Sequence, residues 1–492
     1  MLPKIDPTSA VALYVQIIEG FAAAVARGEL AVGERLPPER QLAESLRVSR
    51  TTVVNAYREM QARGLIISHV GRGTFIAASE PTAQALPWRQ RLSQASQFLV
   101  NPVIHELGRS SVQANVISFA EGLPDHQLAP ADAFQHAVER VLHRQGRLPF
   151  ARTPPEGHSA LREAIVEYVR SSGLRTSVEQ VLIVDGAQQG VDLVCRTFLD
   201  PGDVVITEGP TFMVALQAFR AARATVIPVP LDSDGMRVEL IEDLVIRYRP
   251  KLIYTVPTFQ NPSGTTMPIA RRRLLLDVAA RYQIPVVEDD PYREIYFDGA
   301  PPPPLAALDE HGVTVSIGTF SKIMYPGIGL GWVIAPRPVI ESLTLAKWVS
   351  DLYTNSLVQW AMAEFLGTHS LRGHLERIRA EYRRRRDAML DALGRYAVPV
   401  KVNRPRGGFY LWGPVAGGVP ARILLMEALR EGVAFVTGEA FYPSGGETEL
   451  RLCFSTVSPE LIDQGVKRLA AAAKRVRDTR PEDPQLATMS VV

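Results

Sequence analysis

The chain has 492 residues, 46% hydrophobic and 22% charged, with a formal net charge of +2. That length exceeds one ordinary core and predicts at least two domains. The near balance of charge excludes a polybasic chain, two cysteines (Cys195 and Cys453) exclude a disulfide framework or a four-cysteine metal site, and no apolar run approaches the ~20 residues of a membrane span. No basic-then-apolar leader opens the chain, so the expectation is a soluble, cytoplasmic protein without a metal site.

In chain order, Leu13 to Val25 has apolar residues at helical spacing and ends at Arg27-Gly28. Leu36-Pro-Pro-Glu-Arg-Gln-Leu-Ala opens a second helix, with proline allowed in its first turn. Val48-Ser-Arg-Thr-Thr is rich in N-cap residues and starts a third helix that ends at Arg63-Gly64. Leu65–His69, the Gly71-Arg72-Gly73 turn and Thr74–Ala77 make a hairpin. The pattern is helix-turn-helix plus a wing. Residues 1–80 hold nine Lys/Arg against eight Asp/Glu, so any basic footprint must come from clustering of Arg40, Arg47, Arg50 and Arg72.

Residues 80–114 shift toward Pro, Ala, Gln and Thr and read as a linker. From 115 to 475 strand-like runs alternate with helical patterns: Val181–Val184, Val204–Thr207, Thr225–Val229, Leu252–Thr255, Val286–Glu288, Val313–Ile317 and Trp332–Ala335. That rhythm predicts an α/β domain with a mostly parallel sheet. A smaller α+β part starts near residue 340, and residues 476–492 read as a disordered tail.

Several stretches carry candidate chemistry. Lys322 is the only cation between Glu310 and Arg337 and follows a strand among Thr319, Ser321 and glycines. A partly desolvated ammonium loses its proton readily and can form a Schiff base. Gly186-Ala-Gln-Gln-Gly opens a helix whose NH groups suit a phosphate. Phe212 offers a ring for stacking, and Gln260-Asn-Pro-Ser-Gly264 is a polar turn after a strand. Glu288-Asp-Asp-Pro-Tyr292 puts carboxylates at a strand's C-terminal end, where open α/β sheets bind ligands. Arg451 lies on an alternating strand. Taken singly, each stretch has a plainer reading: a loop lysine, an ordinary strand-to-helix turn, a core aromatic, a good turn, a surface acidic turn, a salt-bridged arginine.

Together they resemble a known pairing. Residues 10 to 77 look like the winged helix-turn-helix of the GntR regulators, and 115 to 475 like the fold-type I aminotransferases. This is the layout of the MocR subfamily of GntR regulators, which Gly407-Gly-Phe-Tyr-Leu-Trp and Tyr382-Arg-Arg-Arg-Arg-Asp also resemble. The resemblance implies that Arg40, Ser49, Arg50, Thr51 and Thr52 face operator DNA, with Gly71 and Arg72 at the wing tip. It implies pyridoxal phosphate (PLP) on Lys322 as an aldimine. Asp289 would pair with the ring nitrogen, Asn261 and Tyr292 with the ring oxygen, and Phe212 would stack. Ala187, Gln188, Thr319 and Ser321 would hold the phosphate. Arg451, with Gly122 nearby, would take a substrate or effector carboxylate.

The implied function is a homodimeric regulator sensing an amine, an amino acid or PLP itself. The alternative is a working aminotransferase with an autoregulatory DNA-binding head. Two positions depart from the resemblance. Gly329 stands where an arginine usually clamps the phosphate, and Arg152 sits close to the slot of an expected tyrosine.

Overall fold

The computed structural model describes residues 116–368 and 370–478, and before them 3, 5, 6, 9, 11–26, 29–31, 33–62, 64–69, 73–77 and 91–93. The chain divides into two units, Met1–Leu92 and Ser93–Val492.

In the first unit three helices, α1 (Leu13–Ala26), α2 (Glu39–Leu46) and α3 (Arg50–Ala62), precede an antiparallel pair, β1 (Ile66–His69) and β2 (Gly73–Ile76), with Ile66 opposite Ile76. Ile17, Phe21, Leu42, Val53, Ala56 and Met60 form its buried core. The turn between α2 and α3 is fixed locally. Arg47 closes α2 in the left-handed region at φ 55°, and the Ser49 hydroxyl caps α3 by accepting the Thr52 NH at 3.1 Å. The Tyr57 hydroxyl donates to the Pro37 carbonyl at 2.8 Å and ties α3 to the start of α2.

The second unit is built on an eight-stranded sheet. Its members are β4 (Val181–Val184), β5 (Val204–Gly209), β6 (Thr225–Asp232), β7 (Gly235–Met236), β8 (Leu252–Thr255), β9 (Val286–Asp289), β10 (Thr314–Thr319) and β11 (Gly331–Ile334). They follow β3 (Ile117–Ser118) in the chain, and the sheet order is β4-β11-β10-β9-β8-β5-β6-β7. Strands β6, β5, β8, β9 and β10 pair in parallel, while β11 runs antiparallel to both its neighbours. The edge strand Val181-Leu-Ile-Val184 and the central strand Leu252-Ile-Tyr-Thr255 are both buried at every position, which explains their unbroken apolar character. A second, antiparallel sheet has the order β12 (Tyr410–Pro414), β15 (Glu449–Cys453), β14 (Val436–Thr437), and β13 (Val433–Ala434) pairs in parallel with β3.

The sheet runs as the sequence pattern predicts, with strand ends moved by a few residues: β5 continues to Gly209, and β10 spans 314–319 rather than 313–317. The last helix, Pro459–Asp478, reaches three residues into the stretch read as a tail, and 479–492 lie outside the described residues. Of the stretch 80–114, only 91–93 are described. Among the described residues no helix is long and apolar enough to cross a membrane.

Candidate functional site

The C-terminal ends of β4, β8, β9 and β10 converge on one cavity of about 250 Å3. Asp185, Gly186, Ala187, Gln188, Phe212, Asn261, Asp289, Tyr292, Thr319, Ser321, Lys322 and Gly329 all line it. Every residue expected to hold the ring or phosphate is therefore in one place.

Lys322 lies in the turn after β10, and its Nζ donates to the Gly122 carbonyl at 2.8 Å. Burial lowers its ammonium to about 8, helped by the Arg451 charge and opposed by Cys453 and Asp289. Gly122 is required there, because a Cβ at that position would collide with the Tyr410 hydroxyl.

Three consecutive acidic residues, 288 to 290, have separate destinations because a strand alternates its faces. Glu288 accepts the Leu305 and Ala306 NH groups at 2.6 and 3.0 Å on the far side. Asp290 pairs with Arg293. Asp289 alone lines the cavity, 2% exposed. Its Oδ2 accepts the Tyr254 hydroxyl at 2.7 Å, while Oδ1 has no hydrogen-bond partner among the described residues. Burial raises its carboxyl to about 6, against the Tyr254 bond.

Tyr292 and Tyr410 share a hydroxyl–hydroxyl bond of 2.8 Å, and the Asn261 amide donates to Tyr292 at 3.4 Å. Arg451, 2% exposed, donates to the Asn261 carbonyl oxygen at 3.0 Å and to the Ala120 carbonyl at 2.6 Å. Its guanidinium carbon lies 4.3 Å from the Tyr410 ring centroid and 5.0 Å from that of Phe441, and its Nε has no partner among the described residues.

At the other end, Gly186 precedes the helix Ala187–Phe198 with φ 78°, leaving helix-start NH groups over the cavity. Gly331 of β11 lets the strand approach this turn. A Cβ there would stand 3.0 Å from the Gly186 carbonyl carbon and 3.1 Å from the Ala187 nitrogen. The Thr319 hydroxyl donates to the Leu330 carbonyl at 3.1 Å and accepts the Ser321 NH, so it also fixes the turn that carries Lys322.

Three residues at or beside this site, Tyr254, Tyr410 and Asp185, escape sequence reading, as does Glu208 outside the lining. Tyr254, Tyr410 and Glu208 act across strands: Glu208 sits fully buried behind the Asn261 turn, bonded by Thr255, Val256 and Gln260. Burial raises its carboxyl to about 7, against those bonds. Asp185 directly precedes the Gly186 motif, one residue outside the stretch read for it.

In the head, Arg40, Arg50 and Thr51 are exposed on α2 and α3. Arg40 lies 3.3 Å from Glu44 and Arg50 3.6 Å from Glu39, exposed pairs that release their arginines at little cost. The Ser49 and Thr52 hydroxyls are 2.8 Å apart, so Ser49 is first of all the cap of α3. Gly71 and Arg72 lie outside the described residues.

Two family models match. Residues 114–469 match "Aminotransferase class I and II", and residues 13–76 match "Bacterial regulatory proteins, gntR family". The aromatic-amino-acid aminotransferase 1 of Thermococcus litoralis is 35% identical over 80% of this chain and 96% of its own. The uncharacterized HTH-type transcriptional regulator YisV of Bacillus subtilis is 32% identical over 95% of this chain and 97% of its own. The crystal structure of the α-aminoadipate aminotransferase LysN from Thermus thermophilus, complexed with N-(5'-phosphopyridoxyl)-L-leucine, superimposes with a TM-score of 0.75. It is 36% identical and covers 80% of this chain and 100% of that one.

Proposed function

From the premise that the chain belongs to the aminotransferase class I and II family and has the two-domain layout of MocR-type GntR regulators, we propose that it regulates transcription in response to an amine or amino acid met at Lys322. The observation that carries this reading is the convergence of Lys322 and Asp289 in one cavity, in a chain whose first unit is a winged helix.

The cavity fits PLP at its ring end. The buried Oδ1 of Asp289 lacks a donor among the described residues, and a pyridinium N–H would supply one. Asn261 and Tyr292 would meet the ring oxygen and Phe212 the ring face. Ala187, Gln188 and Ser321, with Thr319, would hold the phosphate. When bound, the group supplies an electrophilic carbon for amines and an electron sink.

The chain's own residues prepare that encounter. A Lys322 ammonium lowered to about 8 leaves much of the amine neutral in mildly alkaline solution. Tyr254 fixes the Asp289 carboxylate, and Arg451 offers a cation for an effector carboxylate. Because only the neutral amine reacts, covalent capture of PLP should accelerate with rising pH and level off above about 8. Stopped-flow absorbance follows it, and a rate flat from pH 6 to 9 would contradict a lysine of that character.

We further infer a homodimer in the cytoplasm. Leu345, Trp348 and Val349 stand at i, i+3 and i+4 near the end of the helix Arg337–Asp351, Val349 is 88% exposed, and exposed Leu352 follows at the helix cap. Phe150 and Leu148 add further exposed apolar surface. A two-fold dimer would offer two heads to two half-sites. Trp348→Asp/Val349→Asp should sediment as monomer where the parent sediments as dimer. A parent that sediments as monomer at micromolar concentration would refute the assembly.

We assign DNA binding to the exposed start of α3 and to Arg40 of α2. Arg50→Ala should weaken operator binding by roughly 1–3 kcal/mol if the side chain reads a base. The change is measured by gel shift on DNA upstream of the chain's own gene, with PLP absorbance unchanged. Full-strength binding by Arg40→Ala/Arg50→Ala would exclude this face.

A further inference from the structure

The two ends of the cavity differ in charge. At the ring end, Lys322, Asp289 and Arg451 are close together. At the cradle end, the lining residues are Asp185, Gly186, Ala187, Gln188, Thr319, Ser321 and Gly329, and none of them is a cation. Gly329 leaves space: a Cβ there meets nothing within 4 Å. The one charged side chain at that end is acidic.

Asp185 is held where it is. Its NH donates to the Gln189 side chain at 2.8 Å, and Gln189 donates to Asp351 at 2.9 Å. Lys347, fully buried, donates to both Asp351 oxygens at 2.8 Å, so its charge is matched by Asp351. Asp185 is an exposed residue whose carboxyl is raised above the ordinary carboxylate range by partial desolvation, with the Thr354 hydrogen bond and the Lys347 charge opposing and Asp351 reinforcing. An anion seated on the helix start therefore meets Asp185 without a free cation from the lining. Helix-start NH groups and the Ser321 hydroxyl give polar contacts only, and the Thr319 hydroxyl is already donated to Leu330.

We propose that Asp185, together with the side-chain-free position Gly329, is the residue that sets ligand specificity at this end, making the site a weak phosphate holder that accepts phosphorylated and unphosphorylated ring aldehydes with similar affinity. The proposal rests on the assignment of Lys322 and Asp289 to a PLP-type ring. It has a consequence for regulation. A ring aldehyde held mainly through its ring exchanges with the free pool, so occupancy tracks concentration.

The test is the ratio of dissociation constants for 5'-deoxypyridoxal and PLP, measured by absorbance titration of the full-length chain. 5'-Deoxypyridoxal lacks the phosphate and cannot close to an internal hemiacetal. In the parent the ratio should lie within about tenfold of unity. Asp185→Asn should raise it by about tenfold or more, chiefly by tightening PLP, because a like charge is removed while shape is kept. Asp185→Ser serves as a second variant, and circular dichroism reports folding.

A parent ratio above about a thousand, unchanged in both variants, overturns the proposal. It would mean that a cation outside the lining, such as Arg152, compensates the phosphate, and Arg152→Ala would then collapse the ratio. Lys322 adducts that form normally with an unmoved ratio sink only the role of Asp185. Failure of both aldehydes to form an adduct at Lys322 in every variant sinks the ring-site assignment and this proposal with it.

Discussion

Asp289→Asn is expected to loosen PLP by on the order of a hundred- to a thousandfold while leaving the chain folded. The carboxylate is 2% exposed and keeps one oxygen without a donor among the described residues. A ring N–H would pair with that oxygen in a dry setting. Removing one partner of a buried charged pair costs about 3–5 kcal/mol, because the other charge stays buried without compensation. Asparagine preserves the shape and the Tyr254 bond but not the charge. Tyr254→Phe should cost less, about 1.5–3 kcal/mol for one hydrogen bond to a charged group. Glu208→Gln is the control: an equally buried carboxylate whose bonds all come from Thr255, Val256, Gln260 and Thr211. It should lower thermal stability and leave the PLP spectrum alone. Absorbance titration of the three variants separates these outcomes. Unchanged affinity in Asp289→Asn would remove the carboxylate from the ring site.

The second large effect is at Arg451. Its guanidinium lies against the Tyr410 and Phe441 rings, and it holds Asn261 and the Ala120 carbonyl. A planar fork in that slot can meet a carboxylate on two bonds, and a lysine cannot reproduce it. L-alanine and ethylamine share an amine and differ by the carboxylate. The parent should favour L-alanine when the PLP-loaded chain is titrated with each. Arg451→Lys should erase that preference by about a hundredfold, in line with a charged bidentate pair of ~3 kcal/mol. Equal preference in parent and variant would place the carboxylate site elsewhere.

Much of this arrangement was legible in the chain because its signals are local. β4 and β8 lie where their apolar runs predict, since both faces of each strand are buried. Lys322, in the turn after β10, and Asp289, the last residue of β9, stood out as charges beside buried strands, but only the resemblance gave them ring-site roles. Ser49 was legible as a cap, and α3 begins immediately after it. The residues that escaped act across the sheet. Tyr254 reads as one aromatic in an apolar strand, and nothing nearby in sequence shows that its hydroxyl reaches Asp289, 35 positions on. Tyr410 is separated from Tyr292 by 118 positions, and the two meet only through the fold, Tyr410 opening β12 of the second sheet. Asp185 was overlooked for another reason: the glycine turn beside it drew the reading toward backbone NH groups, although an acid next to a phosphate cradle is itself informative.

The aminotransferase-like unit is expected to capture its ring aldehyde through Lys322. The direct measurement is borohydride reduction of the full-length chain after incubation with PLP, followed by peptide mass spectrometry. The expected result is a reduced phosphopyridoxyl group on the peptide carrying Lys322, lost in Lys322→Ala with the fold retained. A full-strength adduct in Lys322→Ala, or label spread over surface lysines in the parent, would remove Lys322 from the capture.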